Sequence, residues 1–324
     1  MIDKKDKRIL FELDRNCRQT INEIAKKTRL SRDVVRYRIK RLENEGFIHG
    51  YIALIDFTKL GYQIVRLYLK LQNTTKEIEE ELLSYFTKNK NVIIAYRTDG
   101  KYEIAMGILV KDLIEYQKIY DDFLITYRKY ISDKNFCIFN DFKQYIRNYL
   151  VPEKFHDYTE LSTGSWKPYK YDQTDLKILQ KISTNAKMPL LQIAREIKLP
   201  VTTLKYRLKN LEQSGVIVAY RTIIDYHKLG YEYYKVDMIL EDITIIPALS
   251  EFIRKHPNVL YRDVAAGGSD FEFDCELKNQ DAYYKLFNEL RDLFPGKIRS
   301  VFYYKAIKLY KYSYYPKALI MPEG

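Results

Sequence analysis

The chemistry this sequence shows first is a stripe of long cations and one polar aromatic, spaced for a single helix face. At 100° per residue, Asp33, Arg36, Tyr37, Lys40 and Arg41 gather on one side of a helix, and Val35, Ile39 and Leu42 on the other. Ser31 and Arg32 open the same run. Guanidinium and ammonium donors beside a phenol can reach phosphate oxygens and base edges from within a major groove. The pattern recurs further along: Leu204, Leu208 and Leu211 face inward, and Thr202, with Thr203 beside it, Lys205, Tyr206, Lys209 and Asn210 face out. The second stripe is less basic. Arg38 and Arg207 lie between the stripes and serve either as phosphate contacts or as ion-paired braces.

Sliding the chain over itself by 169 positions aligns residues 6–62 with 175–231 without a gap, and 21 of the 57 pairs are identical. They include Ile24/Ile193, Tyr37/Tyr206, Arg38/Arg207, Gly46/Gly215 and a closing Lys-Leu-Gly-Tyr at 59–62 and 228–231. So long a period means two copies of a whole module, not a solenoid. In the first copy the spacing predicts a helix from Lys4 to Asp14, a second capped by Thr20, and a third running from a Ser31 N-cap to Glu45 and stopping at Gly46. Phe47-Ile48 and Tyr51 to Ile55 then read as a hairpin wing. Two helices joined by so short a connection suggest a helix-turn-helix. The first window holds 13 basic against 8 acidic residues and the second 10 against 4, so together they carry all but one of the net +12 charges. An exposed helix face is charged in most proteins, but duplication with this confinement of charge favours a polyanion partner.

Downstream of each module the pattern changes to alternation. Strands are predicted over Val65 to Gln72, Val92 to Thr98, Tyr102 to Leu109 and Asn135 to Tyr145, with helices over Thr75 to Asn89 and Asp112 to Tyr130. The second copy repeats this βαββαβ order over Tyr234 to Leu240, Ile246 to Lys255, Val259 to Ala265, Phe271 to Leu277, Gln280 to Leu293 and Lys297 to Tyr312. The expected class is α+β: two tandem copies of a winged helix-turn-helix followed by a ferredoxin-like βαββαβ domain. The expected division is 1–62, 63–150, a linker at 151–171 marked by Pro152, Thr163-Gly164-Ser165 and Pro168, then 172–231, 232–316 and a tail at 317–324. The open face of each sheet must be covered, which predicts pairing of the two halves as an intrachain pseudo-dimer, association between chains, or both. Tyr96-Arg97 and Tyr261-Arg262 read as sheet positions facing such an interface. Many of the 31 tyrosines, among them Tyr303, Tyr304, Tyr310, Tyr312 and Tyr314, suit half-buried sheet positions better than a stacking platform for single strands.

Several function classes are excluded. Hydrophobic residues at 46% and charged residues at 30% rule out wholesale disorder. The longest apolar run, Ile104 to Val110, is far shorter than the ~20 residues of a membrane span. The start of the chain, Met1 to Leu10, has no apolar secretion segment, so a cytoplasmic location is expected. Cys17, Cys137 and Cys275 are odd in number and far apart, which argues for free thiols and against a disulfide or a zinc site. No Gly-x-Ser-x-Gly, Walker loop, His-Glu-x-x-His or Cys-x-x-Cys occurs, and Glu77, Glu79, Glu80 and Glu81 form a solvated helix face. No cofactor and no catalytic residue is assigned.

The run Leu30-Ser31-Arg32-Asp33-Val34-Val35-Arg36-Tyr37-Arg38-Ile39-Lys40-Arg41-Leu42-Glu43-Asn44-Glu45-Gly46-Phe47-Ile48, followed by Asp56 and Lys59-Leu60-Gly61, resembles the DNA-binding end of the leucine-responsive (Lrp/AsnC, feast/famine) regulators. The βαββαβ unit resembles that family's effector-sensing domain. The resemblance covers nearly the whole chain twice, whereas family members usually carry one unit, so it implies a covalently joined dimer. It implies a sequence-specific regulator that binds double-stranded DNA and reads two unequal half-sites, with homo-oligomers formed through the sensing domains. It also implies a small, amino-acid-like effector near a Gly-x-x-Asp turn, matched here by Gly267-Gly268-Ser269-Asp270. In the first repeat, Asp99-Gly100-Lys101-Tyr102-Glu103 puts Glu103 in place of the aspartate. A plain hairpin turn is the alternative at both places. The rival reading is an enzyme like siroheme decarboxylase, built on the same paired architecture. Its expected His, Arg or Tyr groups around a tetrapyrrole find little support in His49, His156, His227 and His256, none of which lies on a predicted sensing-domain strand.

Overall fold

A computed structural model describes residues 2–151, 157–164, 166–312 and 315; Pro152, His156, Ser165, Tyr314 and the 317–324 tail lie outside the described residues. The first head consists of α1 (Lys4–Arg15), α2 (Ile21–Thr28), α3 (Arg32–Asn44) and a strand β1 (Ile48–Ile55). Asp3 caps α1 in a reciprocal box with Asp6, Thr20 caps α2 with Glu23, and Ser31 caps α3 at the Val34 amide, so three starts satisfy otherwise orphaned N–H groups. There follow β2 (Gln63–Leu71), α4 (Lys76–Lys88), β3 (Val92–Gly100), β4 (Ile104–Val110), α5 (Leu113–Tyr127) and β5 (Ile131–Gln144). The connecting segment, predicted as a linker, carries a short strand β6 (Leu161–Thr163). The second head has α6 (Gln173–Thr184), α7 (Leu190–Glu196), α8 (Val201–Gln213) and β7 (Ile217–Ile224). Asp172 and Asp175 repeat the α1 capping box, but Pro189 and Pro200 replace the side-chain caps of α7 and α8. The chain ends in β8 (Glu232–Leu240), α9 (Ile246–Lys255), β9 (Val259–Ala266), β10 (Phe271–Leu277), α10 (Gln280–Leu293) and β11 (Ile298–Tyr312).

The expected hairpin wings do not form separately. β1 and β7 pair with each other, antiparallel, with Tyr51 opposite Thr222 and Ala53 opposite Tyr220. The exchange is reciprocal: Cys17 N–H donates to Tyr220 O at 3.0 Å and Ala186 N–H to Tyr51 O at 2.8 Å, while Asp56 N–H reaches Val216 O and Asp225 N–H reaches Phe47 O. Residues 169 apart thus make the same bonds across a pseudo-two-fold, the self-complementary contact of a symmetric dimer. Each head's apolar core accordingly borrows from the other's wing: Ile224 packs with Ile9, Leu10 and Leu13, and Ala53 and Ile55 pack with Ile178, Leu179 and Ile182.

The two βαββαβ runs also depart from expectation. Instead of two ferredoxin-like sheets covering one another face to face, their eight strands close edge to edge into one barrel in the order β2-β4-β3-β11-β8-β10-β9-β5, with β5 returning to β2 and β6 appended to β5. The seams between halves are β3–β11 and β5–β9. Closure leaves no exposed edge among these eight strands. Alternation along each strand then sorts the side chains. Val65, Leu67 and Leu69 of β2 pack in the apolar core of the first half, with Phe86 and Phe123, whereas Arg66 and Tyr68 point into the barrel. On β10, Phe271, Phe273 and Cys275 join the second half's core and Glu272 and Asp274 take the interior side. Tyr96 and Tyr261, expected at an interface, lie on the two inter-half seams, Tyr96 opposite Leu309 and Tyr261 opposite Gln144.

Candidate nucleic-acid interface

On α3, Val35, Ile39 and Leu42 are buried against α1 and α2, which turns the opposite face to solvent. Ser31, Arg32, Asp33, Arg36, Tyr37 and Lys40 are all exposed, Tyr37 at 68%. Arg36 touches Asp33 at 3.3 Å, an exposed pair of little energetic weight. Arg32, Tyr37 and Lys40 form no side-chain hydrogen bond or ion pair among the described residues, so their polar groups are available to a partner. Arg41 departs from the expected stripe. It is half-buried and its guanidinium donates to Asp6 at 2.6 Å, one turn of charge spent inside the head. Arg38 takes the bracing alternative, donating to Asp3 and Asp6 at 2.8 Å each, and these bonds raise its already high pKa further. Asp6, wholly buried, is the anchor for both arginines.

The second head repeats the arrangement. Leu204, Leu208 and Leu211 are buried, while Thr202, Lys205, Tyr206 (67%) and Lys209 are exposed and Thr203 and Asn210 are half-buried. Arg207 braces against Asp172 at 2.8 Å and Asp175 at 3.0 Å. Asn210 occupies the place of Arg41, so this head lacks the second buried guanidinium.

The turn residues fall on the two seams of the barrel. Gly100 adopts φ +140° with Tyr303 O so close that a Cβ would sit 2.3 Å from it, and Gly267 and Gly268 adopt φ +82° and +84° beside Phe136 and Cys137. These positions demand glycine. Glu103 and Asp270 do equivalent work: Glu103 accepts from Leu71 N–H at 2.9 Å and from Lys70, and Asp270 accepts from Leu240 N–H at 2.8 Å. The carboxylate expected to hold an ammonium is thus already tied to the end of β2 or β8. The structure does not bring the two turns into one site: Gly100 packs on β11 and Gly267 beside β5.

Two buried charge clusters were not anticipated. In the barrel, Arg66 donates to Asp263 at 2.7 Å and to Glu272, and Lys235 donates to both carboxylates at 2.9 Å, with Asp237 at 3.4 Å and Asp274 at 3.7 Å. Burial pushes the Asp274 carboxyl up to about 7, against the pull of Lys235, whereas the two cations hold Glu272 at about 2 despite its burial. Between the first head and the barrel, Arg147 bridges Asp14 at the end of α1 (2.8 Å) to Glu276 of β10 (3.0 Å), and Arg221 of β7 adds a bond to Asp14 at 3.1 Å. The signal for the first cluster was present in the alternating Phe271-Glu272-Phe273-Asp274-Cys275-Glu276-Leu277, where acidic residues occupy every inward position.

The described histidines lie off the barrel strands: His49 is on β1, 3.1 Å from Asp225, His227 packs tilted against Tyr226, and His256 ends α9, its pKa lowered by burial to about 4. The three cysteines are buried and unbridged. Among the described residues no helix is long and apolar enough to cross a membrane.

The family model for a winged helix-turn-helix DNA-binding domain matches residues 2–49 and again 171–218. The chain is 32% identical over 116 residues to the HTH-type transcriptional regulator Ptr1 of Methanocaldococcus jannaschii, covering 35% of this chain and 75% of that protein. It is 31% identical over 120 residues to the proline dehydrogenase transcriptional activator of Rhodobacter capsulatus (37% and 78%), and 48% identical over 65 residues to the regulator LrpA of Pyrococcus horikoshii (20% and 46%). Among solved structures, the siroheme decarboxylase NirDL superposes with a TM-score of 0.63 over 96% of this chain and 93% of its own, at 13% identity. That likeness is one of fold across both halves.

Proposed function

The chain belongs to the Lrp/AsnC family of DNA-binding transcription regulators, as two units fused in tandem, and from that premise we propose that both heads read double-stranded DNA in a sequence-specific way, at two unequal half-sites. The observation that carries this reading is the sorting of the cations on α3. Arg38 and Arg41 are spent on Asp6, while Arg32, Arg36 and Lys40 stand exposed around Tyr37. Lys205, Tyr206 and Lys209 stand in the same places on α8. Heads related by a pseudo-two-fold suit half-sites about 34–36 Å apart on one face of the duplex. Because Arg36 faces one half-site where Lys205 faces the other, and a fork and a point charge read bases differently, the operator halves differ. In this reading a small effector acts at the backbone of Gly100 and of Gly267 and Gly268, with Glu103 and Asp270 keeping the turns in shape, and the protein works in the cytoplasm.

Selection from random duplex DNA at two salt concentrations tests it. An enriched bipartite motif, with affinity that falls steeply with salt, is expected. Absence of enrichment with a shallow salt slope refutes it.

The whole-chain likeness to NirDL favours a second reading, a tetrapyrrole decarboxylase. Charge weighs against it in the barrel. A siroheme-type substrate carries many carboxylates, and Arg66 and Lys235 are already neutralised by Asp263 and Glu272. A Soret band in the purified protein, or saturable siroheme binding, would decide for the enzyme.

A further inference from the structure

The two heads do more than share a ribbon, for each holds the other's exposed helix in place. Glu43, in the last turn of α3, accepts from the Tyr51 hydroxyl of β1 at 2.5 Å. The face of that ring is covered by Lys187, from the turn between α6 and α7 of the second head, with its Nζ 3.8 Å from the ring centre. The same tie runs the other way. Glu212, in the last turn of α8, accepts from the Tyr220 hydroxyl of β7, and Arg18, from the turn between α1 and α2 of the first head, lies over that ring at 4.8 Å. Each member stands 169 positions from its counterpart.

A second contact anchors the same helix ends. Lys228, just past β7, donates to Glu45 O at the C-cap of α3 at 2.5 Å, where the helix dipole favours a cation. Lys59 takes the counterpart place beside Gly215, where an added Cβ would lie 3.4 Å from Lys59 Cε. Where these groups attach decides what they do. Strand pairing alone would join β1 to β7 and leave α3 free to swing about its own C-terminus. A charge-assisted bond from the ring edge to α3, with a cation of the opposite head on the ring face, binds three elements of two heads at one point. Tyr51 is buried, and Arg18 and Lys187 are half-buried at this junction, away from the exposed stripes.

We propose that these reciprocal cation–tyrosine–glutamate ties lock α3 and α8 at a single separation and phase, so that Arg18 and Lys187 are positioning residues that set the spacing of the half-sites. The consequence for DNA rests on the reading that both heads bind it; the lock itself does not. Because a turn of 10–10.5 base pairs spans about 34–36 Å, shifting one half-site by two pairs moves it about 7 Å along the duplex and about 70° around it. A locked pair then engages one half-site only. It forfeits the gain from simultaneous engagement, about 100-fold or more, whereas hinged heads would follow the displaced site.

Two measurements on the full chain test this, and the first needs no DNA. Nitroxides on Asn44→Cys and Gln213→Cys, equivalent exposed positions at the ends of α3 and α8, report the helix separation by pulsed electron spin resonance, the three native cysteines being buried. One narrow distance distribution is expected, broadened in Arg18→Ala with Lys187→Ala. The second measures affinity for the selected operator with its spacer lengthened or shortened by two base pairs. Parent affinity should fall about 100-fold or more, and in the double variant the fall should shrink to about tenfold or less, with affinity for a lone half-site unchanged. Lost stability alone would not move spacing preference in this way. A broad or two-peaked distribution in the parent, parent affinities within about tenfold across the spacers, or unchanged width and spacing preference in the double variant overturns the lock. If selection yields no motif, the DNA-binding reading fails by itself and the distances decide the lock. Should the alanine pair unfold a head, Tyr51→Phe with Tyr220→Phe, which keeps both rings and removes the hydroxyls bonded to Glu43 and Glu212, takes its place in both measurements.

Discussion

Replacing Arg147 by alanine should be among the most damaging single changes in this chain. Its guanidinium and backbone N–H make four hydrogen bonds at 2.8–3.1 Å to Asp14 and Glu276, both carboxylates fully buried. Deleting the cation strands Glu276 with only the Tyr149 hydroxyl, and leaves Asp14 with Arg221 and the backbone N–H of position 147. Breaking a buried pair in this way costs about 3–5 kcal/mol. The pseudo-symmetric seam of the second head offers an internal comparison. There Ser183 stands for Asp14, Ile52 for Arg221 and Leu109 for Glu276, and Leu109 packs in an apolar cluster with Ile178 and Leu211. The loss should therefore fall on the first head. Urea unfolding, with hydrogen exchange resolved over α1 and α6, measures both. Protection of α1 should drop by the full amount while α6 keeps its own. Asp14→Leu with Glu276→Leu, Arg147→Met and Arg221→Ile, the residue at the equivalent place 52, should recover most of the stability, because an apolar seam needs no counter-charge. An Arg147→Ala loss under about 1 kcal/mol, or equal loss in both heads, would refute the assignment.

Arg36→Ala or Lys40→Ala should weaken operator binding by about 1–3 kcal/mol and relax preference at one base if the side chain reads it, or flatten the salt slope if it meets phosphate. Arg38→Ala should instead lower the stability of the first head; binding competition and thermal melts on the three variants separate these roles, and unchanged affinity and slope in both Arg36 and Lys40 variants would remove α3 from the interface. Stability should depend on pH through Asp274: its folded pKa of about 7 lies above the ordinary 3.8, so its contribution is greatest below about pH 4 and is lost as pH rises to about 7. Asp274→Asn should abolish that decline in urea titrations across this range, and identical slopes in parent and variant would exclude it. Glu272, held at about 2, contributes in the opposite sense, fully above about 4.5 and lost as pH falls toward 2. Ser31→Ala should cost the first head about 1 kcal/mol by freeing the Val34 amide, whereas Pro200→Ala, which removes no cap bond, should cost less; equal losses in melts of the two would contradict the capping geometry.

Much of this protein was legible in one dimension because local rules govern it. The duplication, the capped helices, the apolar stripes of α3 and α8 and the βαββαβ order depend on neighbours within a few turns, and each was found within a few residues of its expected limits. The stripe Asp33, Arg36, Tyr37, Lys40 and Arg41 was legible for the same reason. Which cation stays free was not, because Arg41 and Arg38 are claimed by Asp6, more than thirty positions away in the chain. The wings, too, read as hairpins within each module, whereas the second copy brings β1 onto β7. Period-2 alternation states that β10 has an acidic face but not what that face meets; closure of eight strands brings Asp263 and Glu272 to Arg66, 197 and 206 positions earlier in the chain. Sequence fixes which atoms each element can offer, since spacing along a helix or strand sets the face. Pairing between distant strands decides which of those offers are taken up inside the molecule and which remain for a partner.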